Sequence, residues 1–305
     1  MLATTICGIE LRNPVLAASG TFGYGIEFAE LLDLNRLGGI VTKGLSRRPI
    51  AGNPPPRLWH TTGGMLNSVG LQNVGVEAFI EKKLPLLRKY ATPVFANVFG
   101  FEEEEYADVI GALEKADGIA AYELNVSCPN TKRGGISFSS DPTVLSELIR
   151  RVRPIAKRPL IVKLSPNVGR IEPFAKAAEE AGADAISLVN TFVSLAIDAD
   201  TRAPRIGAGY GGLSGPAIKP LALRLVYEAA RAVKIPVIGL GGIMNGEDAA
   251  EFLMAGASAV QVGTATFADP RAPLRVAEQL DRAMTKLQAE KIADLTGTFR
   301  LARSQ

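Results

Sequence analysis

Residues 159–191, "PLIVKLSPNVGRIEPFAKAAEEAGADAISLVNT", hold the pattern that decides the fold. A short β-branched run, "PLIVKLSP" (159–166), gives way to "IEPFAKAAEEAGA" (171–183), and a second such run, "AISLVNT" (185–191), follows. In the middle segment apolar residues recur three and four apart, the period of a helix with one buried face. The flanking runs are apolar nearly throughout, as strands are when helices cover both faces of a parallel sheet. The stretch reads as strand, helix, strand.

The same alternation extends in both directions. Strands are predicted at 14–20, 38–45, 93–100, 120–128, 159–166, 185–191, 236–243 and 259–266. Helical periodicity fills the stretches between them, as at 102–116, 141–156, 171–183, 216–233 and 245–257. The acidic run 102–105 opens a helix where the macrodipole favours negative charge, and is a helix start rather than a site. About eight βα units in about 300 residues predict one domain, 1–305, an α/β fold of the TIM (β/α)8 barrel type; a doubly wound open sheet is the alternative. Two connections, 45–75 and 191–213, are too long for simple turns and are expected as irregular insertions at the C-terminal face, where such barrels assemble their sites.

Composition narrows the function. Of 305 residues 47% are hydrophobic and 21% charged, and 34 basic against 31 acidic residues leave a net charge of +3, which gives no reason to expect a polyanionic partner. The N-terminus lacks a basic leader followed by an apolar run, and no apolar run approaches the roughly 20 residues a membrane span needs. Two cysteines, Cys7 and Cys128, build neither a disulfide framework nor a four-cysteine metal site, and fit a reducing cytoplasm. The single histidine, His60, leaves no multi-histidine metal site and makes a histidine-based triad a poor fit.

Polar residues gather where the strands end: Ser19, Lys43, Asn97, Asn125, Lys163, Asn190 with Thr191, Gly241 with Gly242, and Gly263 with Thr264. An unpaired polar group buried at such a position costs about 1–3 kcal/mol, so the ring implies a ligand or a dense hydrogen-bond network. The glycine-rich segments "GGLSGP", "GLGGIMNGEDA" and "VGTATFADP" let backbone N–H groups approach an oxyanion, at the loops where these barrels hold phosphate. A phosphate grip beside two lysines suits a phosphorylated substrate of a lyase or isomerase, or the tail of FMN. Amides stand at the strand ends where the first class wants carboxylates beside its lysine, which favours flavin. Cys128, set before Pro129 in a polar loop, is readable as a nucleophile or, lacking a flanking histidine, as a general base.

The motifs "ELNVSCPNT", "GMLNSVGLQN", "VKLSPNV", "GGLSGPAIKP", "GLGGI" and "VGTA" together closely resemble the dihydroorotate dehydrogenase family, along essentially the whole chain. More narrowly they resemble the catalytic subunit of its NAD-linked, two-subunit subclass, class 1B. The resemblance implies an FMN-binding TIM barrel that oxidises dihydroorotate to orotate, with Cys128 removing the C5 proton and hydride passing from C6 to flavin N5. It places Lys43, Asn67, Ser68, Val69, Gly70, Leu71, Asn125, Asn130, Asn190 and Thr191 around the substrate. Ser19, Lys43, Gly44, Asn97, Asn125, Lys163, Val189, Gly215, Gly241, Gly242, Gly263 and Thr264 would hold FMN, Lys163 at the N1/O2 edge. The loop 128–137 would close over the site. The subclass implies a homodimer core joined by a subunit carrying FAD and a [2Fe–2S] cluster, which two cysteines could not ligate here, and electron transfer to NAD. A fumarate-using enzyme is the alternative. Two stretches, "LWHTTGG" and "NTFVSLAI", depart from the family's pattern, both in the long connections.

Overall fold

The structure, a computed structural model, describes residues 2–127, 129–130 and 136–301, with backbone alone at 129, 130, 136 and 137. Eight parallel strands close into a barrel: β1 (Val15–Ala17), β2 (Gly39–Val41), β3 (Val94–Val98), β4 (Ala121–Asn125), β5 (Leu160–Lys163), β6 (Ala185–Leu188), β7 (Val237–Leu240) and β8 (Ala259–Val262). Each pairs with the next in sequence, and β8 returns to β1 with Val260 opposite Val15, so no edge remains. Every predicted strand contains one of these, and the open-sheet alternative falls. The observed strands are shorter than the predicted runs because their C-terminal residues leave the ladder to line a cavity.

The period-2 alternation of strands sorts each one between two cores. Outward residues such as Val15, Val94, Tyr122, Val162, Ile186 and Val260 join the large cluster between barrel and helices. Inward, Leu16, Val41, Phe95, Ala121, Ile161, Ala185, Ile238 and Ala259 form a separate apolar layer, one residue from each strand. The N-terminal hairpin, Thr4–Ile6 paired with Ile9–Leu11, inserts Ile6 and Leu11 beneath that layer and seals the barrel floor. Two residues further along the strands, about 7 Å higher, the interior turns polar: Lys43, Asn97, Glu123, Lys163, Ser187 and Gln261.

The outer ring includes α1 (Glu103–Leu113), α2 (Pro142–Val152), α3 (Glu172–Glu180), α4 (Lys219–Ala232), α5 (Gly246–Met254) and α6 (Ala272–Lys286). Local chemistry sets their starts. Asp141 accepts from Thr143 N at 2.7 Å with Pro142 following, Asn245 accepts from Asp248 N at 2.9 Å, and Glu103–Glu105 occupy the first turn of α1. Among the described residues no helix is long and apolar enough to cross a membrane.

The two long connections correct the expectation of irregular insertions. They pair with one another in an antiparallel sheet ordered Phe192–Leu195, Tyr210–Ser214, Gly64–Asn67, Leu58–Thr61. Leu58–Thr61 and Gly64–Asn67 form a hairpin across Thr62–Gly63, and Phe192–Leu195 pairs with Tyr210–Ser214 within the second connection. The pairing of Gly64–Asn67 with Tyr210–Ser214 leaves no local turn signature, since it is set by the barrel that brings both loops to one rim.

Candidate functional site

Above the apolar layer lies a cavity of about 390 Å³, within the range of small-ligand sites. Every described residue expected at the site lines it. From the β1 and β2 ends come Ser19, Lys43 and Gly44; from β3 and β4, Asn97 and Asn125; from β5 and β6, Lys163, Val189, Asn190 and Thr191. The antiparallel sheet and its loop bring Asn67, Ser68, Val69, Gly70 and Leu71, and the glycine segments bring Gly215, Gly241, Gly242, Gly263 and Thr264. Cys128 lies outside the described residues, as does most of the expected closing loop, and Asn130 is described by its backbone alone.

One wall is a chain of amides. Asn190 Nδ2 donates to Asn125 Oδ1 at 3.1 Å and to Ser127 Oγ at 2.8 Å, while Asn190 Oδ1 accepts from Thr191 N at 2.9 Å. These bonds fix which way each amide points, so the wall offers an ordered set of donors and acceptors. Other lining residues are pinned by their neighbours. Asn67 Nδ2 donates to Gly212 O at 3.1 Å, and Asn53 Nδ2 donates to Ser68 O and Oγ at 2.9 and 2.8 Å.

Two lysines serve this cavity in different ways. Lys43 stands alone, with no ion pair among the described residues, and burial, followed by the charge of Arg57, pulls its ammonium below its ordinary pKa. Lys163 is 6% exposed and has Glu123 as its counter-ion, Nζ to Oε1 3.7 Å, too long for a hydrogen bond. Among the described residues its ammonium makes no hydrogen bond, which leaves its N–H donors for a ligand.

Glu123 is the residue that the strand-end reading missed, and it corrects that reading: a carboxylate does stand beside Lys163. It is 1% exposed and accepts from Asn97 Nδ2 at 2.7 Å, Ser187 Oγ at 2.9 Å and Gln261 Nε2 at 2.6 Å. The signal was present as period 2, since Glu123 lies two before Asn125 on β4 and faces the same interior. Gln261, two before Gly263 on β8, was missed for the same reason. Thr21, Met65, Ser127 and Phe267 also line the cavity without having been singled out.

The phosphate expectation meets a built cradle. Gly242 has φ +79°, and a Cβ there would lie 2.9 Å from Gly215 O and from Lys219 N, so only glycine leaves the space open. Among the described residues the backbone amides of Gly242, Gly263 and Thr264 have no hydrogen-bond partner. The loop is held from outside: Asp248 accepts from Met244 N at 2.8 Å and from Lys219 Nζ at 2.6 Å, and Lys219 also meets Glu251 at 2.9 Å. Burial opposes the Lys219 charge, but the two carboxylates outweigh it and raise its pKa. Three free amides suit a phosphate, and the hydrogen-bond-free ammonium of Lys163 suits an electron-rich ring edge, so the residues fit FMN.

The family model of dihydroorotate dehydrogenase matches residues 1–284. A protein of Solibacter usitatus, provisionally named dihydroorotate dehydrogenase A (fumarate), is 67% identical over 98% of both chains. Proteins of Geotalea uraniireducens (55% identical, 96% of this chain and 95% of the other) and Citrifermentans bemidjiense (52%, 98% of both) are named dihydroorotate dehydrogenase B (NAD(+)), catalytic subunit. The preference for flavin over a lyase or isomerase now rests on this kinship and no longer on missing carboxylates. A full-length match of this strength, on a barrel whose strand ends converge on one amide-lined cavity, places the chain in the dihydroorotate dehydrogenase family.

Proposed function

We propose that the chain oxidises dihydroorotate to orotate in pyrimidine synthesis, with FMN as its resident cofactor. When bound, FMN would supply the two-electron acceptor for the hydride that leaves C6 of the substrate. The protein's own part is to hold the pyrimidine and to remove the C5 proton. Asn67, Asn125, Asn130, Asn190 and Thr191 complement the ring's imide and amide edges without imposing a charge. Lys43 meets the substrate carboxylate, and Cys128 takes the proton as general base. Ser68 to Leu71 shape the substrate's side of the cavity. FMN would be held by Gly215, Gly241, Gly242, Gly263 and Thr264 at its phosphate and by Ser19, Gly44, Asn97, Lys163 and Val189 around its ring.

The observation that carries this reading is the cavity itself: ordered amides on one side, amides free for phosphate on another, and a cation with unclaimed donors at the floor. Purified protein should be yellow, and anaerobic dihydroorotate should bleach it without any partner. A colourless protein that takes up no FMN would overturn the reading.

For the acceptor we favour NAD, reached through a separate FAD and [2Fe–2S] subunit on a homodimer core in the cytoplasm. Several relatives bear the NAD-linked catalytic-subunit name. Exposed Val193, Leu195 and Tyr210 on the antiparallel sheet give an apolar face suited to a second copy. Fumarate is the second reading, favoured by the name of the 67% identical relative. Reoxidation of the reduced chain by fumarate alone selects the second; a need for the partner subunit and NAD selects the first.

A further inference from the structure

We infer that Glu123 is a positioning residue that sets the polarity and charge of the cavity floor; this deepens the proposed flavin site and rests on that reading. Its carboxylate lies under the floor, 1% exposed, and gathers side chains from four other strands: Asn97, Lys163, Ser187 and Gln261. A carboxylate only accepts, so the two amides must present their NH2 groups to it. Their oxygens are thereby turned away from Glu123. Asn97 Oδ1 and Gln261 Oε1 are both buried with no partner among the described residues. Each residue is 1% exposed and belongs to the cavity lining.

Two unpaired acceptors and one ammonium with unclaimed donors make a costly floor for an empty barrel. An orphaned polar atom of this kind costs about 1–3 kcal/mol, and an apolar layer stands two residues below as the cheaper alternative. A ligand with N–H donors on one edge and electron-rich atoms beside them fits that arrangement, which is the pattern of the pyrimidine part of a flavin. The negative charge of Glu123 also offsets that of Lys163, so the floor does not hold an anionic reduced ring as tightly as a bare lysine would.

Glu123→Gln keeps the shape but removes the charge and puts an NH2 group where only acceptors fit, so one neighbouring amide must turn over. In apoprotein titrated with FMN, E123Q should raise the FMN Kd about tenfold. Lys163, left without its counter-ion, should then favour the reduced flavin. The reduced-to-oxidised binding ratio should rise about tenfold, read as a midpoint potential about 30 mV more positive for a two-electron couple. Ser187→Ala removes another bond to the same carboxylate, from a fully buried residue that is not among those lining the cavity. It should lower thermal stability and move the potential less than about threefold by the same measure.

Wild-type FMN binding with an unchanged E123Q Kd and potential would overturn the inference while leaving the function intact. An S187A potential shift as large as that of E123Q would also overturn it, since the effect would then be general loosening. Should E123Q fail to fold, Glu123→Asp reads the same point through reach instead of charge. Weaker FMN binding in E123D supports the inference, and an unchanged Kd and potential contradict it. Failure of the wild-type protein to bind FMN at all would instead defeat the functional reading beneath.

Discussion

Two layers inside one barrel differ by two residues along the same strands. Phe95, Ala121, Ile161 and Ala259 form the lower layer; Asn97, Glu123, Lys163 and Gln261, two positions on, form the upper. Both are buried, and both are built from the same strands, with Asn97 level with Glu123 across β3 and β4 as Phe95 is with Ala121. The lower layer fills its space with side chains, sealed by Ile6 and Leu11. The upper is a hydrogen-bonded plate with orphaned oxygens and a cavity above it. Burial alone therefore does not separate scaffold from site. What separates them is whether the polar groups are all satisfied from within.

The largest effect is expected at Cys128. Cys128→Ala should keep FMN but slow flavin reduction by dihydroorotate about a hundred- to ten-thousand-fold at neutral pH, as loss of a general base does. Stopped-flow reduction measures this, and a near wild-type rate would remove Cys128 from that role.

In the lower layer the loss should be in stability. Phe95→Ala leaves a cavity beneath the polar plate and should cost about 3–5 kcal/mol in denaturant unfolding. A change below about 1 kcal/mol would mean that this layer is not the closed core described.

Lys43→Met is the converse test. It removes a desolvated cation with no ion pair among the described residues, so apoprotein stability should hold or rise, while the KM for dihydroorotate should increase about ten- to a hundredfold. The pH dependence has a definite sign. Burial and then Arg57 depress the Lys43 pKa, so the charged form costs stability below the lowered value. That cost fades between the lowered value and the ordinary one, and apoprotein stability should rise across this window. Orotate, which needs the ammonium, should bind more weakly through the same window. In K43M both trends should vanish.

The smallest effect contrasts the two cysteines. Cys7 sits in the hairpin under the lower layer, its Sγ donating to Asp184 O at 3.3 Å. Burial first, and then the Asp184 charge, push its thiol up to about 11. At mildly alkaline pH iodoacetamide should therefore label Cys128 and spare Cys7, and mass spectrometry of the peptides would show either outcome.

Much of this was legible in the chain, for identifiable reasons. The strands and helices carry local periodicity, so the barrel followed from the alternation that begins at Pro159. Lys43, Asn97, Lys163 and the Gly241–Gly242 pair were found because they sit where an apolar run breaks. Glu123 and Gln261 escaped because they lie within runs whose outward neighbours, Tyr122, Leu124, Val260 and Val262, are apolar. Only the closed register makes them neighbours. The central pairing of the antiparallel sheet at the rim, Gly64–Asn67 with Tyr210–Ser214, escaped because topology joins it; the short turn at Thr62–Gly63 is the one local signal of the hairpin beside it.

The central claim, that the upper layer and the cavity above it form a flavin site for dihydroorotate, is tested most directly by anaerobic titration of the purified chain alone. The account predicts a yellow protein whose flavin absorbance bleaches on adding dihydroorotate, one flavin per chain, with orotate as product. A protein that carries flavin but is not reduced by dihydroorotate, or one that carries none, would contradict it.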